Sequence, residues 1–405
     1  MNKLKREEKM KAKISNRRFS SLYASSRRGF TVIEVLIGSS IMLGIIVATL
    51  SLYTKSNKVS VDQQQFADIQ HNVRAAMYFL SRDIKSIGAG LPLQFSHAFL
   101  EGDNNDSSGG PPVYPDRLTF LGNSDPLRLI IQSFDPGSNT VTFEPNQFDM
   151  YPYTATSYPA DTLGYINRLI IVFPNPELNV QKGEVGKITS VNFVTNQIVF
   201  DRVNGKVPKD LNLNPGGDPD DYIGGTVTFI ELKTYWLDVD GSYPGGHVGV
   251  DGYLGEPGVM YVSQWNPISD SYEHLALALN IEDLQFQYHG DMDADQQLDD
   301  NNSDTIIDVN DFLNWGDGGD KSFNWNDDEV SAGIRSVRFL ILGKTANPYI
   351  GFSGTPSDAM RYIYGKPAIA DSPAGDEMDK HRRFLLESTA QIRNMSLSLY
   401  NSGTN

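Results

Sequence analysis

A run of twenty uncharged, mostly apolar residues extends from Val35 to Thr54, directly after a polar and basic N-terminal stretch. As an α-helix, a run of this length is enough to cross a hydrocarbon layer of roughly 30 Å. Glu34 is the one acidic residue at the start of this segment. The pattern predicts a transmembrane helix half over residues 30–54.

After this run the chain becomes polar, but apolar residues recur at spacings of three, four and seven as far as Ile87. These spacings place one apolar stripe along a helix. No proline occurs between Phe30 and Leu91, so nothing interrupts a helix over about 30–87. The sequence therefore predicts one continuous helix, whose amphipathic half lies within residues 55–90.

The pattern changes again after Gly88-Ala89-Gly90-Leu91-Pro92, since Gly and Pro end helices. Short segments rich in Val, Ile, Phe and Tyr then alternate with clusters of Gly, Pro, Asn and Asp, as in strands and turns. The predicted fold class is α+β: a long N-terminal helix packed on a large β-rich head domain over 91–405. The predicted strands are Arg117–Leu121, Leu127–Phe134, Arg168–Phe173, Gly186–Phe193, Thr226–Leu237, Val259–Trp265, His274–Tyr288, Ile334–Leu342 and Arg383–Met395.

The junction before the apolar run is unlike that of a secretory signal. An ordinary signal keeps its cleavage site after the apolar stretch, behind small residues. Here no such pattern follows, and the distinctive junction, Gly29-Phe30, precedes the run. Cleavage at this junction would remove a basic leader over residues 1–29 and leave the membrane helix on the mature chain.

Charge is distributed unevenly along the chain. The leader carries ten Lys or Arg against two Glu, a net of +8, so its removal takes the chain from −16 to −24. Positive charge before the helix favours a cytoplasmic leader and an exported head. A mature charge of −24 disfavours nucleic acid as a general partner and leaves room for divalent cations. Without cysteine, the head depends on its core, and on any bound metal, for stability.

The N-terminal residues Arg28-Gly29-Phe30, with Glu34 inside the apolar run, resemble the N terminus of type IV prepilins. Further blocks resemble PilW-like minor pilins and the related J-type pseudopilins of type II secretion, in the order of that family. These blocks are Ser81-Arg82-Asp83-Ile84-Lys85, Asp116-Arg117-Leu118-Thr119-Phe120, Ile281–Tyr288, Ile334–Phe339, Arg382-Arg383-Phe384 and Gln391-Ile392-Arg393-Asn394. Residues 122–270 match nothing that we can place, and each block alone is also typical of an amphipathic strand.

The resemblance implies that prepilin peptidase cleaves between Gly29 and Phe30 and that the new Phe30 amine is methylated. It also implies that Glu34 pairs with the Phe30 amine of a neighbouring subunit during assembly. The alternative for Glu34 is a carboxylate near the helix end that reaches the lipid headgroups. The partners implied are other minor pilins, the major pilin and an inner-membrane assembly platform.

The function implied is that of a minor pilin in a complex that primes type IV pilus assembly, near the pilus tip. Such a subunit starts as a single-pass inner-membrane protein with a periplasmic head and ends at the cell surface. One alternative is a J-like pseudopilin, although a head of over 300 residues mildly favours the pilus. Another is an uncleaved, membrane-anchored calcium-binding surface protein.

Motifs of catalysis are absent from the sequence. It contains no HExxH, GxSxG or P-loop motif and no cysteine nucleophile, and its six histidines show no metal-ligand spacing. We therefore expect a structural subunit rather than an enzyme. A catalytic triad assembled from distant residues is left open by sequence.

An acidic segment over 291–329 holds thirteen acids and one base, Lys321. Two overlapping windows fit the oxygen-ligand spacing of an EF-hand loop, and both predict a Ca2+ site. Gln296 and Thr305 replace the usual turn glycine, and neither window ends in Glu; the alternative is a solvated acidic loop. The candidate ligands are Asp291, Asp293, Asp295, Asp299, Asp300, Asn302, Asp304, Asp308 and Asp311.

Overall fold

The first element of the fold is one long helix, α1 (Val32–Ile84), followed by turns as far as Gly90. Gly88 and Gly90 adopt φ values of 69° and 74°, which glycine tolerates without strain and which end the helix. The predicted helix is confirmed, starting two residues later and ending three residues earlier than predicted. The computed structural model describes residues 30–91, 100–103, 115–122, 128–145, 147, 164–178, 183–202, 218–238, 258–291, 298, 300–301, 306–314, 333–348, 366–370, 372, 374 and 381–392.

The chain divides into two compact units, Met1–Val61 and Asp62–Asn405. In the described part of the chain fifteen strands follow α1, and the predicted fold class, α+β with a long N-terminal apolar helix and a large β-rich part, is confirmed. In chain order the strands are β1 (Leu100–Asp103), β2 (Arg117–Gly122), β3 (Arg128–Asp135), β4 (Thr140–Phe143), β5 (Leu169–Phe173), β6 (Glu184–Asn192), β7 (Gln197–Arg202), β8 (Thr226–Phe229), β9 (Glu231–Asp238), β10 (Val259–Asn266), β11 (Ser271–Leu279), β12 (Ile281–Gly290), β13 (Leu313–Asn314), β14 (Ile334–Lys344) and β15 (Arg383–Gln391).

Two antiparallel sheets and a barrel account for all these strands. The first sheet has the order β1-β2-β9-β10-β11, and the second has the order β13-β12-β14-β15. The six strands β3-β4-β7-β6-β5-β8 close into a barrel. Because β2 and β9 pair directly with each other, the barrel is an insertion between two neighbouring strands of the first sheet.

The largest hydrophobic core lies between α1 and the two sheets. The buried stripe of α1 includes Ile69, Val73, Leu80 and Ile84, which join buried residues of both sheets. A second core fills the barrel. Strand β5 is buried on both faces: Ile170 and Val172 belong to the barrel core, and the alternate residues belong to the main core.

Two predicted strands are each divided in the structure. Thr226–Leu237 is interrupted at Ile230, where the chain leaves the barrel for the first sheet. His274–Tyr288 is interrupted at Asn280, whose φ of 61° turns the chain from one sheet into the other. In both cases residues typical of strands lie on either side of the change of sheet, so the sequence pattern did not mark it.

Candidate functional site

The N terminus of α1 carries the first candidate residues. Gly29 lies outside the described residues, and Phe30, the first residue described, is 85% exposed. Thr31 precedes the helix, and its backbone N–H and its hydroxyl each donate to Glu34 Oε2 at 2.9 Å. The Glu34 N–H donates in turn to Thr31 Oγ1 at 3.3 Å. This reciprocal arrangement is a capping box, which sequence reasoning missed although Thr-x-x-Glu is its signature.

The capping box uses only one oxygen of the Glu34 carboxylate. Both Thr31 donors bond to Oε2, and within the described residues no donor bonds to Oε1. A carboxylate oxygen can accept further hydrogen bonds from a cationic donor. The helix start is therefore already satisfied within the chain, while Oε1 can accept another donor.

The apolar half of α1 has its side chains exposed. By length and composition, α1 contains a segment able to cross a membrane, and none of that segment is buried within the protein. The exposed apolar residues run from Val32 to Tyr53. Their burial requires an environment other than the rest of this chain, and a membrane anchor is compatible with that requirement.

The second half of α1 lies very close to β14. A Cβ atom at Gly343 would lie 2.4 Å from Ile69 Cγ2 and 2.8 Å from Val73 Cγ2, closer than atoms can pack. Glycine at this position lets the helix approach the sheet backbone. Phe384 at the start of β15 also contacts this part of the helix, with its ring edge-on to Phe66 at 6.2 Å.

A buried ion network fixes the end of α1 to the first sheet. Asp83 is buried; its Oδ1 accepts from Arg82 Nε at 2.7 Å, and its Oδ2 accepts from Lys233 Nζ and the Tyr235 hydroxyl, both at 2.9 Å. Burial alone would raise the pKa of Asp83, but these hydrogen bonds outweigh it and lower the pKa. Burial, together with the Asp83 charge, raises the pKa of Tyr235.

Sequence reasoning did not assign this network. Its signal was an acid inside the apolar stripe, at a position where a carboxylate loses its hydration and is unfavourable unless it is paired. Other sequence blocks that carried the family resemblance also meet in space. The Phe286 N–H donates to Asp116 Oδ2 at 2.8 Å, and the Arg383 guanidinium forms two hydrogen bonds to the Glu282 carboxylate.

The acidic segment is described in part. Asp293, Asp295, Asp299, Asn302 and Asp304 lie outside the described residues. Within the described residues, no three acidic or histidine side chains converge as metal ligands. The candidate ligands that the structure places are Asp291, Asp300, Asp308 and Asp311.

The second calcium window, residues 300–311, has its two ends in contact. The Asn301 N–H donates to Asp311 Oδ1 at 3.0 Å, which joins the second position of the window to its twelfth. Asp308 caps a short 3-10 helix (Val309–Asp311), and its own N–H donates to Asp311 Oδ2 at 2.7 Å. These contacts hold Asn301, Asp308 and Asp311 of the window together.

The described residues contain one serine–histidine contact. Ser263 Oγ lies 2.6 Å from His274 Nδ1, but the Trp236 indole N–H donates to the same oxygen at 2.8 Å. Ser263 is fully buried. A nucleophile needs access to its substrate, so this contact is a buried hydrogen-bond chain and gives no support to hydrolysis.

No family model matches the chain, and no curated protein matches it. Among solved structures the chain is similar to a type IV-like pilin from Thermus thermophilus, at a TM-score of 0.27 and 9% sequence identity. The alignment covers 81% of this chain and 98% of that chain.

Proposed function

We propose that this chain is a type IV pilin-like subunit, and specifically a PilW-like minor pilin that joins a complex priming pilus assembly. Support comes from the basic leader ending at Gly29-Phe30, the exposed apolar half of α1 and the β-rich part that follows. The protein acts through its contacts with other subunits rather than through catalysis. Its partners in this proposal are other minor pilins, the major pilin, prepilin peptidase and the inner-membrane assembly platform.

The observation that carries this proposal is the Glu34 carboxylate in the membrane helix. A carboxylate at this depth is unfavourable unless it is paired. Thr31 satisfies Oε2, and Oε1 is available to the Phe30 amine of a neighbouring subunit once the leader is removed. One carboxylate could thus cap its own helix and align the next subunit at the same time.

The first test is the N-terminal sequence of the mature protein. Mass spectrometry should find a chain that begins at Phe30 with a methylated amine. Gly29→Ala should still be processed, whereas Gly29→Asp should retain the leader. An intact leader on the native protein, or a start beyond Thr54, would end the pilin proposal and favour an uncleaved anchored protein.

The second test separates insertion from assembly. Glu34→Val, in a strain lacking the native copy, should reach the membrane at the normal level because the substitution removes an unfavourable charge. It should support few surface filaments and be scarce in sheared filaments. Normal piliation by Glu34→Val would show that the pairing role is wrong for this subunit.

A J-like pseudopilin of type II secretion is the second candidate in the same class. The size of the β-rich part, with its inserted barrel, favours the pilus, because a priming or tip subunit has room for a large exposed head. Deletion of the gene should reduce the number of pili and leave protein secretion unchanged. Loss of secretion with normal piliation would favour the pseudopilin.

We further propose that the acidic segment binds Ca2+ through the second window, residues 300–311. The contact between Asn301 and Asp311 supports this choice, because an EF-hand-like loop brings its first and last positions together around the ion. Asp300, Asn302, Asp304, Asp308 and Asp311 would supply the oxygen ligands. The bound ion would offset the repulsion among these carboxylates.

Thermal unfolding of the full chain in detergent tests the calcium proposal. The Tm should be higher in millimolar Ca2+ than in chelator, because a ligand that binds only the folded state stabilises it. Asp304→Ala should abolish the difference, whereas Asp293→Ala with Asp295→Ala, which alters only the first window, should preserve it. Identical unfolding curves for the native chain in both conditions would leave a solvated acidic loop.

A further inference from the structure

The face of α1 opposite its buried stripe, continued by Lys85 in the turn that follows the helix, carries a row of basic and aromatic residues. At about 100° per residue, His71, Arg74, Tyr78, Arg82 and Lys85 fall within about 80° of arc. All five are exposed, and we call this set the outward stripe. No acid lies between His71 and Lys85 on this arc, since Asp83 points to the buried side.

The cations of the outward stripe are incompletely neutralised. Arg74 lies over the Phe384 ring at 5.9 Å, but in the described part of the chain neither Arg74 nor Lys85 forms an ion pair. Arg82 shares the Asp83 carboxylate with Lys233, so this buried cluster keeps a net positive charge. Uncompensated cations on one helix face are notable in a chain with a net charge of −16.

The aromatic members add apolar area to this charged face. Tyr78 is 66% exposed, and its ring meets Phe79 edge-on at 5.8 Å. The Arg82 guanidinium lies over the Phe79 ring at 5.3 Å, which limits its rotation. Exposed Tyr and Arg side chains held in place are the residues that most often carry binding energy in protein interfaces.

We propose that the outward stripe is a docking surface for a carboxylate-rich surface on a neighbouring protein subunit. The inference rests on the proposed function, which supplies the neighbouring subunits, and it names the chemistry by which one of them is recognised. Arg74 and Lys85 pair with carboxylates of the partner, and Tyr78 packs against the apolar parts of the same surface. Electrostatic complementarity of this kind fixes register and excludes cationic partners.

Two other anionic partners fit the observations less well. Lys55 and Lys58 directly follow the apolar run, where lipid headgroups are expected, and the outward stripe begins sixteen residues beyond Lys55. A nucleic acid would meet repulsion from the remainder of the chain, which carries −24 after leader removal. Localised carboxylates on a protein surface avoid both difficulties.

The absence of cysteine allows a direct test in the full-length protein, expressed in a strain that lacks the native copy. Tyr78→Cys introduces a unique thiol in the outward stripe, and Val194→Cys provides a reference thiol at a barrel turn that is 89% exposed. Maleimide labelling is measured in intact membranes and filaments, and again after dispersal in detergent with 1 M NaCl. At that ionic strength, exposed charges are screened beyond about 3 Å.

We expect Tyr78→Cys to label at least tenfold more slowly before dispersal than after it, and Val194→Cys to label at the same rate in both states. Equal rates in the two states, both for Tyr78→Cys and for His71→Cys, which keeps Tyr78, would overturn the docking surface. If nuclease treatment removed the protection of Tyr78→Cys from maleimide, the proposed docking surface would also be overturned, because the partner would then be a nucleic acid.

Charge variants give an independent test on the same full-length chain. Arg74→Glu with Lys85→Glu should remove the protection of Tyr78→Cys, whereas Arg74→Lys with Lys85→Arg should retain it. Both pairs of variants should reach the membrane at the native level, since the altered side chains are exposed. Protection that survives charge reversal would overturn the role of the two cations.

The two proposals fail in different ways. Protected Tyr78→Cys in a protein that is absent from sheared filaments would support the docking surface and contradict pilus incorporation. A protein present in filaments with fully reactive Tyr78→Cys would support incorporation and contradict the docking surface.

Discussion

The two stretches of α1 contain similar apolar residues in different surroundings. From Val32 to Val61 the apolar side chains are exposed, whereas Ile69, Val73, Leu80 and Ile84 are buried. The second stretch has one apolar stripe, which the β sheets of the same chain cover. Most of the first stretch, from Val35 to Thr54, is uncharged and mostly apolar, and the described residues of the chain do not bury its membrane-length segment. The comparison shows that an apolar residue in this helix stabilises the fold only where its own chain buries it.

A matched pair of substitutions should give the largest contrast between the two stretches. Val73→Asp buries an unpaired charge in the main core and should destabilise the protein by about 4 kcal/mol or more. Val47→Asp should leave the unfolding midpoint of the β-rich part unchanged, because Val47 is exposed. Denaturant unfolding of the full chain in detergent, followed by tryptophan fluorescence, measures both.

The same Val47→Asp variant should be lost from the membrane, since a carboxylate in the middle of a spanning helix costs about 3 kcal/mol on insertion scales. Val47→Leu is the control for side-chain replacement and should be retained. If Val47→Asp lowered the unfolding midpoint of the β-rich part as much as Val73→Asp, the contrast between the two stretches would be wrong.

Loss of Asp83 should have the next largest effect. Asp83→Ala leaves Lys233 and Tyr235 without their partner and should cost about 3 kcal/mol. The folded-state pKa of Asp83 is lowered, so its contribution is present above about pH 4 and is lost as the pH falls through the folded-state pKa. Unfolding measured between pH 2 and 7 should therefore show a weaker acid dependence in Asp83→Asn than in the native chain. An unchanged dependence would mean that Asp83 carries no charge-linked stability.

Gly343→Ala should have an intermediate effect. The added Cβ would meet Ile69 and Val73, so α1 must move away from β14 at a cost of about 1–3 kcal/mol. The double variant Gly343→Ala with Ile69→Ala removes one clashing side chain, and its loss should be smaller than the sum of the two single losses. Additive losses would show that the helix does not press on this glycine.

The smallest effect is expected at the ion pair between Arg338 and Glu387. These side chains meet at 2.7 Å, but Glu387 is 55% exposed. Exposed pairs contribute about 0–1 kcal/mol, so Glu387→Gln should change stability by less than 1 kcal/mol at low salt and by less still at 1 M NaCl. A larger loss of stability would mean that this ion pair contributes as much as the buried network around Asp83.

The sequence predicted the parts of the molecule that depend on local pattern. A helix of 53 residues repeats its period many times, so α1 was found with small errors at its ends. The barrel was not predicted, because its strand order joins segments distant in sequence and two of its strands, β4 and β7, were not among the predicted strands. Likewise, two of the partners of Asp83, Lys233 and Tyr235, lie about 150 residues away. No local pattern encodes such pairings.

Strand β5 affects how the β-rich part would respond to a mechanical load on the barrel. Leu169, Ile171 and Phe173 point into the main core, and Ile170 and Val172 point into the barrel. A load applied to the barrel therefore reaches the main core through side-chain packing along a whole strand, as well as through the two linkers at the insertion point. Extraction of the barrel, of which β5 is one strand, would expose three large apolar side chains (Leu169, Ile171 and Phe173) at once, at about 1.5–3 kcal/mol each. The barrel thus resists tension as part of the head, whereas a domain joined by linkers alone would yield at its linkers first.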